Sequence, residues 1–243
     1  MKHRLCLTEL GSADPSSDAI ELDSDRAHYL HRVLRLRVDA ELSVFDGRGR
    51  EWRARLTQSN PRHCALTVVE LIRSEPPPTP LVLAQSWLKG GAMDTVVQKA
   101  VELGATAIWL LKAERSNVKL DTRRRDNKLA HLARIAMAAA EQSGAVWLPA
   151  LTQIDSLSAL LERTQNLRAI VLDLTQTPLA VAPEPEPLLL VVGPEGGWSE
   201  SERAQIRKNE QVLTMGLGPG TLRAETAPLA ALSAVRHSWG WRR

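Results

Sequence analysis

The stretch Leu188-Leu-Leu-Val-Val-Gly-Pro-Glu-Gly-Gly-Trp-Ser-Glu-Ser-Glu202 decides how the rest of the chain is read. Five apolar residues in a row, entered from a Pro-Glu-Pro-Glu-Pro spacer, predict a strand buried on both faces. Gly193-Pro-Glu-Gly-Gly197 breaks it sharply, and Ser199 with Glu202 three residues on has the S-x-x-E form of a helix capping box. Strand, glycine-rich turn and capped helix in succession predict an open α/β sheet, with a ligand just beyond the carboxyl end of the strand. A phosphate does not suit this loop. A phosphate cradle offers successive backbone N–H groups with Lys, Ser or Thr, whereas Pro194 has no N–H and Glu195 repels an anion. Glycines that let a ligand touch backbone, beside a carboxylate, suit a neutral or cationic ligand; a plain tight turn is the simpler alternative.

Working outward, a second glycine-rich loop, Gly216-Leu-Gly-Pro-Gly220, also follows an apolar strand, predicted over Val212–Met215. It leads into Thr221-Leu-Arg-Ala-Glu-Thr-Ala227, where a cation, a carboxylate and a hydroxyl stand at the start of a final helix, predicted from about Glu225 to Trp239. Upstream the pattern alternates. Strands are expected at Leu81–Ser86, Ala107–Leu111 and Ala169–Leu174, and helices at Met93–Leu103, Asp126–Gln142 and Asp155–Arg163. This βαβ order implies a mostly parallel sheet covered on both faces.

Glu75-Pro-Pro-Pro-Thr-Pro80 cannot sit inside an element, so residues 75–80 are expected to link a module of residues 1–74 to one of residues 75–243. The first module reads as small and strand-rich. A helix capped by Asp23 or Ser24 is expected over Asp25–Arg37, followed by strands at Glu41–Phe45, Glu51–Leu56 and His63–Ile72. The first two strands flank the hairpin turn Asp46-Gly-Arg-Gly49. Arg48, Arg50, Arg53 and Arg55 are expected to share one strand face as a positive stripe.

The net charge of +3 over 243 residues is modest, but it is unevenly spread. Nine Arg fall between Arg26 and Arg62, and eight Lys and Arg between Lys112 and Arg134. Two basic segments suggest a polyanionic partner, with a solvated surface as the alternative. The residues expected to meet phosphates are Arg26, His28, Arg32 and Arg35 on the first helix, then Arg48, Arg50 and Arg53, and further on Arg115, Lys119, Arg123 and Arg124. Cys6 and Cys64 lack metal-type spacing and are expected as reduced thiols, and no metal site is expected. The first residues are charged and no apolar run approaches a membrane span, so a cytoplasmic protein is expected.

These residues resemble the RsmE-type small-subunit rRNA uridine-N3 methyltransferases of the SPOUT superfamily, over nearly the whole chain. In the first module the likeness rests on His28-Tyr-Leu-His-Arg-Val-Leu-Arg35 and Phe45-Asp-Gly47. In the second it rests on Met93-Asp-Thr-Val-Val-Gln-Lys-Ala-Val-Glu-Leu-Gly104, Glu114-Arg-Ser116 and Glu141-Gln-Ser-Gly144. It is strongest at Gly193–Gly197 and at Leu217-Gly-x-x-x-Leu-Arg-x-Glu-Thr-Ala227. The resemblance implies a PUA-like RNA-binding β-barrel, a SPOUT α/β domain with a deep trefoil knot, a homodimer, and 16S rRNA or the assembled small subunit as partner.

It also implies S-adenosylmethionine held by the two loops. The cofactor-binding residues on the first side are Leu172, Gly193, Pro194, Glu195, Gly196 and Gly197. On the second side they are Met215, Leu217, Gly218, Leu222, Arg223 and Thr226. A sulfonium without phosphate agrees with a loop unfriendly to anions. Arg223 is the expected stabiliser of charge on the uracil, with Glu225 or Glu195 as the candidate base; a structural salt bridge is the alternative for this trio. The chain departs from the family pattern at Ala145, where a basic residue is common, at Asp39-Ala40, where Gly-Asp is usual, and at Pro228 inside the last helix. A non-catalytic rRNA-binding assembly factor and a nucleotide-phosphate enzyme are the rival readings; the second lacks any Gly-x-x-x-x-Gly-Lys motif.

Overall fold

The computed structural model describes residues 3–12, 19–116, 118, 122–164, 166–174 and 177–241. The chain divides into two compact units, Met1–Pro77 with Ala140–Trp147, and Pro78–Ala139 with Leu148–Arg243.

The first unit begins with β1 (Arg4–Cys6), β2 (Ile20–Leu22) and α1 (Ser24–His28), and continues with β3 (Glu41–Phe45), β4 (Arg50–Ser59) and β5 (Cys64–Ser74). Its sheet order is β1-β3-β4-β5-β2, with only the β1–β3 pair parallel. Strands β1 and β2 span three residues each, too short for alternation to reveal them in sequence. The first helix is shorter than expected. Asp23 caps it by accepting from the Arg26 N–H at 2.8 Å, and it widens into a π-turn over Tyr29–Val33 with Leu34 N donating to the Tyr29 carbonyl. Arg35, at φ +55°, then stops it. Packing selects this path, because Leu30 is buried and Leu34 and Leu36 pack partly against a core of Leu7, Leu42, Val44, Ala54, Leu56 and Leu66.

The second unit holds β6 (Leu81–Ser86), α2 (Ala92–Glu102), β7 (Ala107–Leu111), α3 (Thr122–Ser143, apart from its end), β8 (Ala150–Ile154) and α4 (Leu157–Leu161). It continues through β9 (Arg168–Leu172), β10 (Leu188–Val192), α5 (Glu200–Lys208), β11 (Val212–Met215) and α6 (Thr226–Ser238). The sheet is parallel throughout, in the order β11-β9-β10-β6-β7-β8. All five residues of β10 are buried, as a strand in the middle of a parallel sheet requires. Edge strand β8 has no sequence expectation, since Ala-Leu-Thr-Gln-Ile alternates weakly. From β6 the chain moves outward to β7, whereas from β10 it crosses past β9 to β11. Connections leaving neighbouring strands in opposite directions open a crevice at their carboxyl ends.

Candidate active site

Local chemistry shapes the first loop. Gly197 N donates to the Pro194 carbonyl at 2.9 Å, closing a turn that puts Gly197 at φ +66°. A Cβ on Gly193 would lie 3.0 Å from the ring of Trp198, which is buried, so a side chain there would force the indole aside. The capping box forms: Ser199 Oγ accepts from Glu202 N at 3.1 Å, and Ser199 N donates to the Glu202 carboxylate at 2.9 Å. Glu202 is only 2% exposed, and its other oxygen accepts from Glu114 N at 2.9 Å. Glu114 in turn accepts from Ser201 Oγ, and hydrogen bonds from Ser199 and Ser201 hold its carboxyl below the usual carboxylate value. The Glu114–Ser116 segment thus braces the first loop, and a Cβ on Gly196 would meet the Arg115 carbonyl at 3.2 Å.

The second loop is tied by Gly216 N to the Thr177 carbonyl at 2.7 Å and turns at Gly218, φ +110°. The Arg223 carbonyl accepts from Thr226 N and Ala227 N, which starts α6. Pro228 falls in the first turn, where its missing N–H costs no helical bond.

Both loops border one cavity of about 670 Å³, within the range of small-ligand sites. Of the sequence-selected residues it is lined by Leu172, Gly193, Pro194, Glu195, Gly197, Leu217, Gly218, Leu222, Arg223 and Glu225. Gly196, Met215 and Thr226 are not in its lining. Met215 is instead buried under the rim, its carbonyl accepting from Asp173 N at 3.1 Å and its sulfur from Ala180 N at 3.4 Å. Sequence reasoning passed over Lys89, Asp173, Trp198 and Arg203, which also line the cavity. Lys89 and Asp173 stand just after the carboxyl ends of β6 and β9, and that position was the available signal.

Three cations, Lys89, Arg203 and Arg223, and three carboxylates, Asp173, Glu195 and Glu225, face this space. Arg203 Nη1 is paired with Asp173. Arg223 lies 3.9 Å from Glu225, but its side chain is 86% exposed, so that contact is too wet and too long to hold it. The lining carries no glycine-lysine phosphate cradle, and Pro194 is buried in the loop where such a cradle would need an N–H. The lining fits a ligand with an apolar body that carries charges of both signs.

The basic residues of the first unit do not form the expected stripe. Arg50 to Arg53 is a spacing of three, and a strand of period two sends them to opposite faces. Arg50 lies over the Trp52 ring at 5.2 Å and pairs with Asp46 at 2.9 Å, while Arg53 pairs with Glu70 at 3.0 Å and Arg55 with Glu41 at 3.5 Å. Arg26 is likewise occupied by Glu9 at 2.6 Å and Asp23 at 3.4 Å. By contrast His28, Arg32, Arg35 and Arg48 are exposed and make no ion pair among the described residues. Arg115, Arg123 and Arg124 are exposed in the second unit; Lys119 lies outside the described residues.

Residues 75–236 match the RNA methyltransferase domain family and residues 22–69 the RNA methyltransferase PUA domain family. The chain is 30% identical over 228 residues, 89% of each chain, to ribosomal RNA small subunit methyltransferase E of Bacillus subtilis. It is 33% identical over 226 residues, 89% of this chain and 72% of the relative, to the protein of that name in Synechocystis. Among solved structures, the S-adenosylmethionine-bound ribosomal RNA small subunit methyltransferase E of Neisseria gonorrhoeae superposes with a TM-score of 0.85 at 30% identity over 98% of both chains. A Legionella pneumophila methyltransferase, also holding that cofactor, gives 0.90 at 27% identity over 98% of both chains.

Proposed function

The chain belongs to the ribosomal RNA small subunit methyltransferase E family, and from that premise we propose that it moves a methyl group from S-adenosylmethionine to N3 of one uridine in the decoding region of 16S rRNA. The observation that carries this reading is the cavity between the two glycine-rich loops, which combines close backbone approach with apolar residues and side chains of both charge signs. When bound, S-adenosylmethionine supplies an electrophilic methyl group on a cationic sulfonium. Gly193 to Glu195 with Gly197, and Leu217, Gly218 and Gly220 to Leu222, would hold it with backbone groups; Leu172 would support that wall, Gly196 and Met215 would brace it from behind, and Thr226 fixes the start of α6 beneath Arg223.

Positioning is most of the work, because methyl transfer is an in-line displacement that needs a near-attack geometry more than covalent help. Uracil N3 keeps its proton at neutral pH, so the site must stabilise the charge that develops as that proton leaves. Arg223 takes this part, its exposed guanidinium free to meet an incoming base. Glu225 or Glu195 orients it or receives the proton. The exposed Arg32, Arg35 and Arg48, with His28, Arg115, Arg123 and Arg124, contact phosphates and set the register of the RNA without reading its sequence. The fold reading that accompanies this is a closed PUA-like barrel for residues 1–74 and a trefoil-knotted SPOUT domain for 75–243, acting as a cytoplasmic homodimer.

Two measurements test the function. Mass spectrometry of small-subunit rRNA from cells lacking the protein is expected to show one N3-methyluridine missing, restored on complementation. Calorimetric titration is expected to show S-adenosylhomocysteine binding and no ATP binding. RNA affinity without S-adenosylhomocysteine binding would instead identify a non-catalytic assembly factor.

A further inference from the structure

Lys89 is presented to the cavity by a short, well-anchored loop. The strand that precedes it, β6, pairs directly with β10, with Gln85 opposite Val192, so the two loops that follow run side by side. Trp87 and Leu88 are buried, 2% and 0% exposed. The Trp87 N–H donates to the Leu111 carbonyl at 3.1 Å, and its own carbonyl accepts from Ser116 Oγ at 3.2 Å. Two buried neighbours therefore fix the backbone from which Lys89 emerges, exposed, at the cavity rim. Gly90, at φ +60°, then turns the chain into α2, whose first residue Ala92 lines the same cavity.

The charges facing Lys89 across this space are Asp173 and Arg203, Glu195, and Arg223 with Glu225. Asp173 is taken by Arg203. Lys89 makes no ion pair or hydrogen bond among the described residues, and Arg223 only the loose contact with Glu225. Two cations thus stand unneutralised at the solvent-facing edge, while the less exposed pair, Asp173 and Arg203, is closed on itself. An RNA base arrives from the solvent side, so the charge that develops during the reaction appears at that edge.

Resting on the uridine-N3 reading above, we infer that Lys89 is a further catalytic residue, its ammonium touching one uracil carbonyl while Arg223 touches the other. In the step so assisted, the N3–H bond breaks and the proton passes to Glu225 or Glu195, or directly to water at the open rim. The nitrogen electron pair forms the new N3–CH3 bond, and the S–CH3 bond breaks with its electrons left on sulfur. A cation on each carbonyl spreads the negative charge of the deprotonated imide, and it does so only as that charge appears.

The test uses the full-length protein with small subunits reconstituted from rRNA transcribed with uridine or with 5-fluorouridine triphosphate. Fluorine at C5 withdraws electrons and makes the N3 proton more acidic, so it replaces part of what a stabilising cation does. Lys89→Met is expected to lower kcat on the uridine substrate about 10- to 100-fold, less than an enclosed donor because the rim is screened by water. The KM for subunits and the S-adenosylhomocysteine Kd stay within about twofold. On the 5-fluorouridine substrate the deficit shrinks by about fivefold or more, and Lys89→Arg keeps most of the wild-type rate on both.

An equal deficit on both substrates overturns the proposal. So does a loss confined to the subunit KM, which marks a phosphate contact, or to S-adenosylhomocysteine affinity, which marks a clasp on the cofactor. A wild-type reaction that leaves uridine N3 unmethylated fails the parent reading, and the proposal falls with it; the other outcomes bear on Lys89 alone.

Discussion

Where the first unit buries charge, charge answers it. Glu51, with its side chain 7% exposed, accepts from Arg4 Nε at 2.8 Å and from Arg73, and Arg73 also reaches Glu75 at 3.1 Å. The same two guanidiniums satisfy the carbonyls at the end of α3: Arg4 donates to Ala140 at 2.7 Å and Ala145 at 3.0 Å, and Arg73 to Gly144 at 2.9 Å. Glu141 completes the patch by accepting from Cys6 N at 2.9 Å; burial pushes its carboxyl above the ordinary value and the Cys6 thiol up to about 12. In the second unit, the cavity rim leaves Lys89 and Arg223 without close acidic partners among the described residues. A buried charge must be paired to be tolerated, whereas a cation held open to solvent contributes nothing to stability and is free for a ligand. The difference teaches where to look: arginines that are spoken for build the fold, and those left open are the candidates for meeting a ligand.

The largest effect expected from breaking this contrast is on Glu51. Glu51→Gln leaves Arg4 without its anion and Arg73 with Glu75 alone, and should lower stability by about 3–5 kcal/mol at pH 7, read from denaturant midpoints. Burial raises the Glu51 carboxyl, but hydrogen bonds from Arg4, Ser43 and Arg73 outweigh it and set the net shift downward. A depressed carboxyl stabilises the fold above the ordinary value of 4.5 and loses that contribution as pH falls through its folded value. The Gln variant's deficit should therefore shrink in acid, and a deficit independent of pH would count against the pairing.

Next is Arg223→Ala, expected to reduce kcat by about 10- to 100-fold with little change in S-adenosylhomocysteine affinity or in melting temperature. Similar losses in rate and in cofactor affinity would show a binding role instead. A smaller effect separates free from occupied arginines in the first unit. Replacing Arg32, Arg35 and Arg48 together should lower the salt slope of RNA binding by about 2, whereas replacing Arg50 and Arg53, which already have acidic partners, should leave it near the wild-type value. Equal slopes for the two sets would erase the distinction.

The smallest concerns Asp39. It stands at φ +69° while its N–H donates to the Leu56 carbonyl at 2.8 Å. The family resemblance has Gly at this place, and the structure supplies the reason, since an L side chain is strained in that conformation. Asp39→Gly should raise stability by up to about 1 kcal/mol, about 2–4 °C in Tm.

Much of this was legible in the chain before any coordinates. Strands β3, β6, β7, β10 and β11 have the bounds that their apolar runs suggested, and the Ser199–Glu202 box forms as its spacing promised. Periodicity, glycine and capping are local properties, carried by a few neighbouring residues, so they survive without knowledge of the fold. The two glycine-rich loops were readable for the same reason, and the structure adds that they share a cavity.

What stayed hidden depends on residues distant in sequence. The short strands β1 and β2 exist only because partners hydrogen-bond them, and the π-turn after α1 exists because the core draws in Leu30, Leu34 and Leu36. Spacing alone puts Arg50 and Arg53 on opposite strand faces, but the acids that neutralise Arg50, Arg53 and Arg55 lie on several strands and turns. Lys89 and Asp173 carry no motif; they reach the cavity because parallel pairing sets the ends of β6, β9 and β10 side by side. Pairing between strands, and the choice of which charges meet, costs and recovers free energy only when remote segments close on each other, so tertiary structure alone decides it.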